Sequence, residues 1–177
     1  MDWKDIPSEF RFLLDEIQKT CPEAIIAGGA MRDWFHGHTP KDVDIFVSNG
    51  FEADKVSKLI ENSMDDPSGE LDDTITQSIT YGGYTLPINI VWCNKNIKPM
   101  ERFEKFDFGI CKIAWDGQKV IEHPEFLWDV KYNLITLRRT ASIEMLLSSL
   151  KRYQRFVVKY PYPLMVPHTL KLPLEGI

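Results

Sequence analysis

Residues 25–46 read IIAGGAMRDWFHGHTPKDVDIF, from Ile25 to Phe46. Ala24-Ile25-Ile26-Ala27 is a short, small-and-branched run that suits a buried strand, and it leads into Gly28-Gly29. A helix of about two turns follows over Ala30 to Phe35 and stops near Gly37. From Asp42 to Val47 the chain alternates strictly, with Val43, Ile45 and Val47 on one strand face and Asp42, Asp44 and Phe46 on the other. Two carboxylates at i and i+2 therefore project side by side, while Val43 points into the core and fixes them. Like charges held together are costly unless a cation compensates them. A divalent metal with oxygen ligands meets that need, and Mg²⁺ is the hard, phosphate-preferring choice, with Mn²⁺ as its substitute.

The glycine pair adds a second element. Without side chains at Gly28 and Gly29, the backbone can approach a phosphate closely, and amides at a helix start favour an anion. Arg32 and Asp33 sit on the helix that follows, and Arg32 could reach a phosphate. A metal site beside a phosphate cradle supports phosphoryl or nucleotidyl transfer. A phosphatase or nuclease would want nucleophile and general-acid signatures that this stretch lacks.

Around this centre, Phe10, Leu13, Leu14 and Ile17 mark a helix between Pro7 and Pro22. A surface helix is expected over 52–62, a polar loop over 64–73, and strands near 75–81 and 84–92 flanking a Gly82-Gly83 hairpin. Residues 95–105 suit a loop or short helix, Gly109 to Trp115 a strand, and Asp116-Gly117 a tight turn into Lys119 to Ile121. A long helix over about 142–159 carries Ile143, Leu146, Leu147, Leu150, Tyr153 and Val157 at helical steps, and Pro161, Pro163 and Pro167 stop it. The pattern predicts an α/β (α+β) domain with a mixed sheet over 1–125, then a helical extension over 126–177 with an irregular tail.

The 177 residues are 44% hydrophobic, enough for a real core, so a wholly disordered chain is excluded. No run suits a membrane span, and the acidic, proline-containing N-terminus does not read as a signal peptide. Cys21, Cys93 and Cys111 lack CxxC spacing, so neither a disulfide scaffold nor a cysteine zinc site is expected, and the cytoplasm is the expected compartment. The net charge of -5 conceals a gradient: residues 1–130 sum to -11 and residues 131–177 to +6. Such halves can be two functional surfaces or can attract each other. Lys151, Arg152, Arg155 and Lys159 form a basic helical patch, a candidate contact for RNA or for an acidic surface. His36 and His38 fit ordinary loop polarity. The tryptophans fit core or rim positions, although Trp92 or Trp115 near the cleft could stack on a nucleobase.

At Gly28-Gly29, Arg32-Asp33, Gly37 and Asp42-Val43-Asp44 the sequence resembles the DNA polymerase β-like nucleotidyltransferase superfamily. Within it, the likeness is to the head domain of tRNA CCA-adding enzymes and bacterial poly(A) polymerases. Asp107 to Asp116, DFGICKIAWD, is similar to the family's strand Asp-Phe-Thr-Ile-Asn-Ala-x-Ala-Tyr-Asn/Asp, with Cys111 in place of the Asn. Lys105-Phe106 stands where the family carries Arg-Arg. Leu150 to Phe156 resembles the neck helix with its Arg-x-x-Arg-Phe signature. The resemblance spans about residues 23–160, and the roughly 20 residues beyond leave room for neither the body nor the tail that grip tRNA. It implies a minimal form from which full CCA addition is not expected.

The resemblance implies Asp42 and Asp44 as catalytic metal ligands, and Gly28, Gly29, Arg32 and Asp33 as the nucleotide-binding group. A nucleoside monophosphate would pass from an NTP, ATP among them, to an acceptor hydroxyl on an RNA 3' end or a protein. The superfamily's third carboxylate falls at Asn89, which can ligate a metal but cannot act as a base. Either Asp107 substitutes as the third catalytic acid or two carboxylates suffice. The alternative is a catalytically inactive module of the same fold that binds a nucleotide or a partner protein as a regulator.

Overall fold

Helix α1 (Ser8–Gln18) buries Phe10, Leu13, Leu14 and Ile17, the stripe expected from their spacing. In the computed structural model, which describes residues 2–61, 76–82, 84–93 and 97–170, the chain divides into two compact units. Unit 1 comprises Met1–Glu104 and Ile113–Ile121, and unit 2 comprises Lys105–Lys112 and Glu122–Ile177. The polar loop expected over 64–73 lies outside the described residues, as do Gly83 and residues 171–177 of the tail.

Unit 1 is organised on strands β1 (Ile25–Ala27), β2 (Val43–Phe46), β3 (Thr76–Tyr81), β4 (Ile88–Cys93), β5 (Ile113–Trp115) and β6 (Val120–Glu122), in the order β3-β4-β2-β1-β5-β6. The sheet is mixed: β2 and β4 run parallel, while β1 is antiparallel to both β2 and β5, and β3 is antiparallel to β4. Helices α2 (Gly29–Phe35), α3 (Gly50–Glu61) and α4 (Pro99–Phe103) join these strands. Val43, Ile45, Ile88 and Ile90 are wholly buried, and the parallel register pairs Val43 with Ile88 and Ile45 with Ile90. One face of β2 and β4 is thus core, and the other carries Asp44 opposite Asn89.

Local chemistry sets the ends of these elements. Asn49 caps α3 by accepting from the Glu52 N–H at 3.0 Å, and Glu52 reaches back to the Ser48 N–H at 2.9 Å, so two orphan donors are satisfied reciprocally. The Gln18 amide donates to the Ala24 and Asp116 carbonyls, each at 2.8 Å, tying α1 to both the entry of β1 and the β5–β6 turn. Gly117 in that turn has φ +91, and a side chain there would run into the Gln18 amide.

Two expected strands are corrected. The strand predicted from 84 begins only at Ile88, because residues 84–86 bend ahead of Pro87, whose carbonyl accepts from the Val43 N–H at 2.8 Å. The strand predicted over Gly109 to Trp115 is a 3₁₀ turn over Gly109–Cys111 followed by β5. The run is buried throughout, and an apolar run gives no period by which a tight turn and a strand can be told apart.

Unit 2 holds that 3₁₀ turn, helices α5 (Pro124–Tyr132) and α6 (Ile143–Lys159), and a parallel pair β7 (Ile135–Thr136) and β8 (Leu164–Met165). Pro124 opens α5 and Asn133, at φ 52, closes it in the left-handed conformation. Ser142 caps α6 through the Met145 N–H at 3.1 Å. The core joins Phe108, Ile110, Cys111, Ile135, Leu137 and Tyr160, with Leu146, Tyr153 and Phe156 packed against it. The wholly buried Asp129 accepts from the Thr136 N–H at 2.9 Å and the Thr136 hydroxyl at 2.5 Å. Burial is the main cause that raises its pKa, and these bonds oppose the rise.

A Cβ on Gly109 would meet Asp129 Oδ2 at 2.7 Å and the Glu125 carbonyl at 2.9 Å, both held in place. Gly109→Ala is expected to lower stability by about 2 kcal/mol through overpacking. Urea unfolding of the full chain measures this, and an unchanged midpoint would refute it.

Candidate active site

The site is built on the polar face of β2. Asp42 immediately precedes the strand and Asp44 lies within it, both half-buried, on either side of the wholly buried Val43. Asn89 Nδ2 donates to Asp44 Oδ1 at 2.9 Å from the neighbouring strand, as the register pairing of Asp44 with Asn89 requires. The position read from sequence as the missing third carboxylate therefore does lie directly beside Asp44.

Burial pushes the Asp44 carboxyl up to about 6. The Asn89 hydrogen bond opposes the rise, the Asp42 charge adds to it, and the Arg102 and Arg32 charges oppose it. Burial, more than the neighbouring Asp42 charge, is what holds the Asp44 carboxyl toward its protonated form. The donor set, two hard carboxylate oxygen groups and a neighbouring amide, fits Mg²⁺, which commonly takes one or two carboxylates and completes its shell with water and phosphate. Among the described residues, no group of three or more His, Cys, Asp or Glu is placed to hold a metal.

Gly28 has φ 82 and ψ -125, a conformation essentially restricted to glycine. Its N–H donates to the Ile113 carbonyl at 3.1 Å, and its carbonyl accepts from the Arg32 N–H at 3.0 Å, so it turns the chain from the sheet into α2 within one residue. A Cβ on Gly29 would sit 4.0 Å from Arg32 Nη2, which places the guanidinium beside the glycine pair. Arg32 and Asp33 are both buried, and Arg32 donates to Asp33 Oδ1 from Nε at 2.9 Å and from Nη2 at 2.6 Å. This buried pair is better read as positioning than as net stabilisation.

The sequence reading missed Arg102. It lies on α4, its Cζ is 5.5 Å from the centre of the Phe46 ring, and its charge acts on Asp44. No local motif signals it; the path of the chain after β4 brings it there. His36 Nδ1 lies 2.9 Å from the Arg32 carbonyl, and burial lowers its pKa. Trp92 and Trp115 are 6% and 4% exposed, core positions rather than stacking platforms.

Asp107 belongs to unit 2, where it accepts from Ser149 Oγ at 2.5 Å and Arg152 Nη2 at 2.6 Å, both on α6. Of the basic patch on α6, Arg152 is thus paired with an acid, while Lys151, Arg155 and Lys159 are exposed. No helix among the described residues is long and apolar enough to cross a membrane.

Residues 5–132 match the model of the family described as "Gad2: Gabija anti-defense 2 family protein". The chain belongs to that family. No curated protein matches it in sequence. Among solved structures, the chain is similar to a tRNA-processing enzyme in an apo form (TM-score 0.67, 20% identity), covering 90% of this chain and 45% of that one. It is likewise similar to a CCA-adding enzyme with ATP (TM-score 0.66, 19% identity, 92% of this chain and 40% of that one). A third is the Thermotoga maritima CCA-adding enzyme complexed with tRNA (TM-score 0.63, 22% identity, 96% of this chain and 40% of that one). The chain spans less than half the length of these structures and has the nucleotidyltransferase head fold as a mixed α/β domain.

Because folding raises the Asp44 carboxyl from 3.8 to about 6, the folded chain holds this proton more tightly than the unfolded chain between those values. Stability of the cation-free protein is therefore expected to fall from pH 4 to pH 6 and level off above about 7, with about 2–3 kcal/mol due to this group. Asp44→Asn should remove that part of the slope. Thermal melts in EDTA over this range provide the check, and parallel profiles for the two proteins would refute it.

Proposed function

We propose that the chain is a Mg²⁺-dependent nucleotidyltransferase, with Mn²⁺ able to substitute. It would move a nucleoside monophosphate from an NTP to an acceptor hydroxyl, in opposition to the defense named in its family's description. One observation carries this reading: the Asp42–Asp44 pair, braced by Asn89 and acted on by the Arg32 and Arg102 charges, in a nucleotidyltransferase head fold. Asp42 and Asp44 would hold the ion. When bound, it stabilises negative charge on the transferring phosphoryl group.

The chain's own residues supply position and field. Asn89 fixes the Asp44 carboxylate by donating to Oδ1. Gly28 and Gly29 offer backbone without side chains, and Arg32 stands beside them for the β- and γ-phosphates, with Asp33 orienting its guanidinium. The acceptor oxygen attacks the α-phosphorus, the bond to the bridging oxygen breaks, and pyrophosphate leaves. Asn89 cannot take the hydroxyl proton, so that proton passes to water.

We place the activity in the cytoplasm, on an acceptor belonging to the opposed defense, a protein in the first instance and an RNA 3' end otherwise. The solved neighbours include a CCA-adding enzyme complexed with tRNA, and Lys151, Arg155 and Lys159 on α6 are the candidate contacts for an RNA acceptor. The second reading, an inactive module that binds a nucleotide or a partner, draws on the amide at Asn89 in place of an acid. Asp107, held by Ser149 and Arg152, serves under either reading to anchor α6 in unit 2.

The test incubates the full chain with each labelled NTP, Mg²⁺ or Mn²⁺, and RNA or extract from cells carrying the defense. Label transfer is expected to fall at least about 100-fold in the Asp42→Ala, Asp44→Ala double variant. Transfer that survives there would sink the mechanism, and nucleotide binding without any transfer would favour the inactive module. Asn89→Asp, which restores a third acid beside Asp44, is expected to raise transfer about tenfold through general-base assistance, read as kcat on the same acceptor.

A further inference from the structure

Arg102 is held against the face of the sheet that carries the acids. Phe46 lies two residues beyond Asp44 on β2 and therefore shares its face. The Arg102 Cζ lies 5.5 Å from the Phe46 ring centre, and Nη1 donates to the Trp92 carbonyl at 3.4 Å. Trp92 is on β4, three residues beyond Asn89, and β4 runs parallel to β2 with Asn89 beside Asp44 and Val91 beside Phe46. A ring and a carbonyl, supplied by the two strands that form the acid site, thus locate one guanidinium on a half-buried side chain. Planar stacking and a directed N–H donor are features that arginine offers and lysine does not.

The charges of a filled site bear on the role of such a group. A divalent cation would neutralise Asp42 and Asp44, and Asp33 already faces Arg32 in a buried pair. An NTP then brings several more negative charges on its phosphates, and a guanidinium can meet phosphate oxygens through two parallel hydrogen bonds.

We propose that Arg102 is a phosphate-binding residue of this site, gripping the triphosphate of the incoming NTP. The inference rests on the nucleotidyltransferase reading and extends it to a residue outside the glycine and aspartate motifs.

Calorimetric titration of the full chain with Mg²⁺-tripolyphosphate, and with each of the four NTPs in Mg²⁺, tests it. Arg102→Met keeps length and ring packing without charge, Arg102→Lys keeps the charge, and Arg139→Met removes an exposed arginine elsewhere. Affinity for tripolyphosphate and for the NTPs is expected to fall at least about tenfold in Arg102→Met, to fall in Arg102→Lys as well because lysine lacks the planar fork, and to be unchanged in Arg139→Met. In transfer assays the Met variant should raise KM for the NTP by a similar factor. Arg102→Gln retains a donor for the Trp92 carbonyl and serves as the charge-free variant if melting shows the Met variant unfolded. Binding within about twofold of wild type in a folded charge-free variant overturns the inference. In that case, wild-type transfer leaves the nucleotidyltransferase reading standing. If the wild-type protein binds neither tripolyphosphate nor any NTP, reading and inference fall together.

Discussion

Two carboxylates on one strand face repel each other, and much of unit 1 can be understood as the means of holding them there. Val43 and Ile45 are wholly buried, and β2 pairs on both sides, with β1 and with β4. That double pairing denies Asp42 and Asp44 the small backbone shift that would otherwise separate them. Asn89 supplies a donor in place of another negative charge, and Arg32 and Arg102 supply positive field. Burial outweighs these contributions, and the Asp44 carboxyl stands at about 6. Under the proposed function a divalent cation would offset that cost.

The turn beside the acids follows the same logic of fixing groups that would rather move. Gly28 changes direction within one residue, anchored through its N–H to β5 and through its carbonyl to α2. Arg32 could swing freely on a surface helix, but the buried pairing with Asp33 restricts it. Ion pairs of this kind contribute little net stability, since desolvation offsets attraction, but they do set orientation. If the site meets a polyanion, as proposed above, orientation prepared in advance lowers the cost of binding.

What could be read from the sequence was what depends on near neighbours. Strict alternation gave β2 and its two faces, the apolar stripe gave α1, and the helical steps from Ile143 to Val157 with the proline cluster bounded α6 closely. The pairing of Asn89 with the acid site followed from a family pattern, and the register of β2 with β4 agrees with it. Features that depend on distant parts of the chain were not legible. Arg102 comes to the acid face on a short helix whose direction no local signal sets. The partners of Asp107 lie 42 and 45 residues away, and neither the neck-helix signature nor the basic patch that contains Arg152 points to Asp107. The 3₁₀ turn at Gly109 depends on Asp129 and Glu125, which close over the glycine from α5.

Unit 2 is assembled from two separated stretches, and this carries a consequence for how the chain is made. Phe108 and Ile110 leave the ribosome well before Ile135, Leu137 and Tyr160, the residues that bury them. During that interval a short apolar segment has no permanent cover, and such exposure favours association with other chains. Protein synthesis that stalled before α6 would strand Asp107 without Ser149 and Arg152. The nascent chain thus depends on prompt completion of its last third, and truncated products should be recognised by chaperones or degraded rather than accumulate as soluble heads.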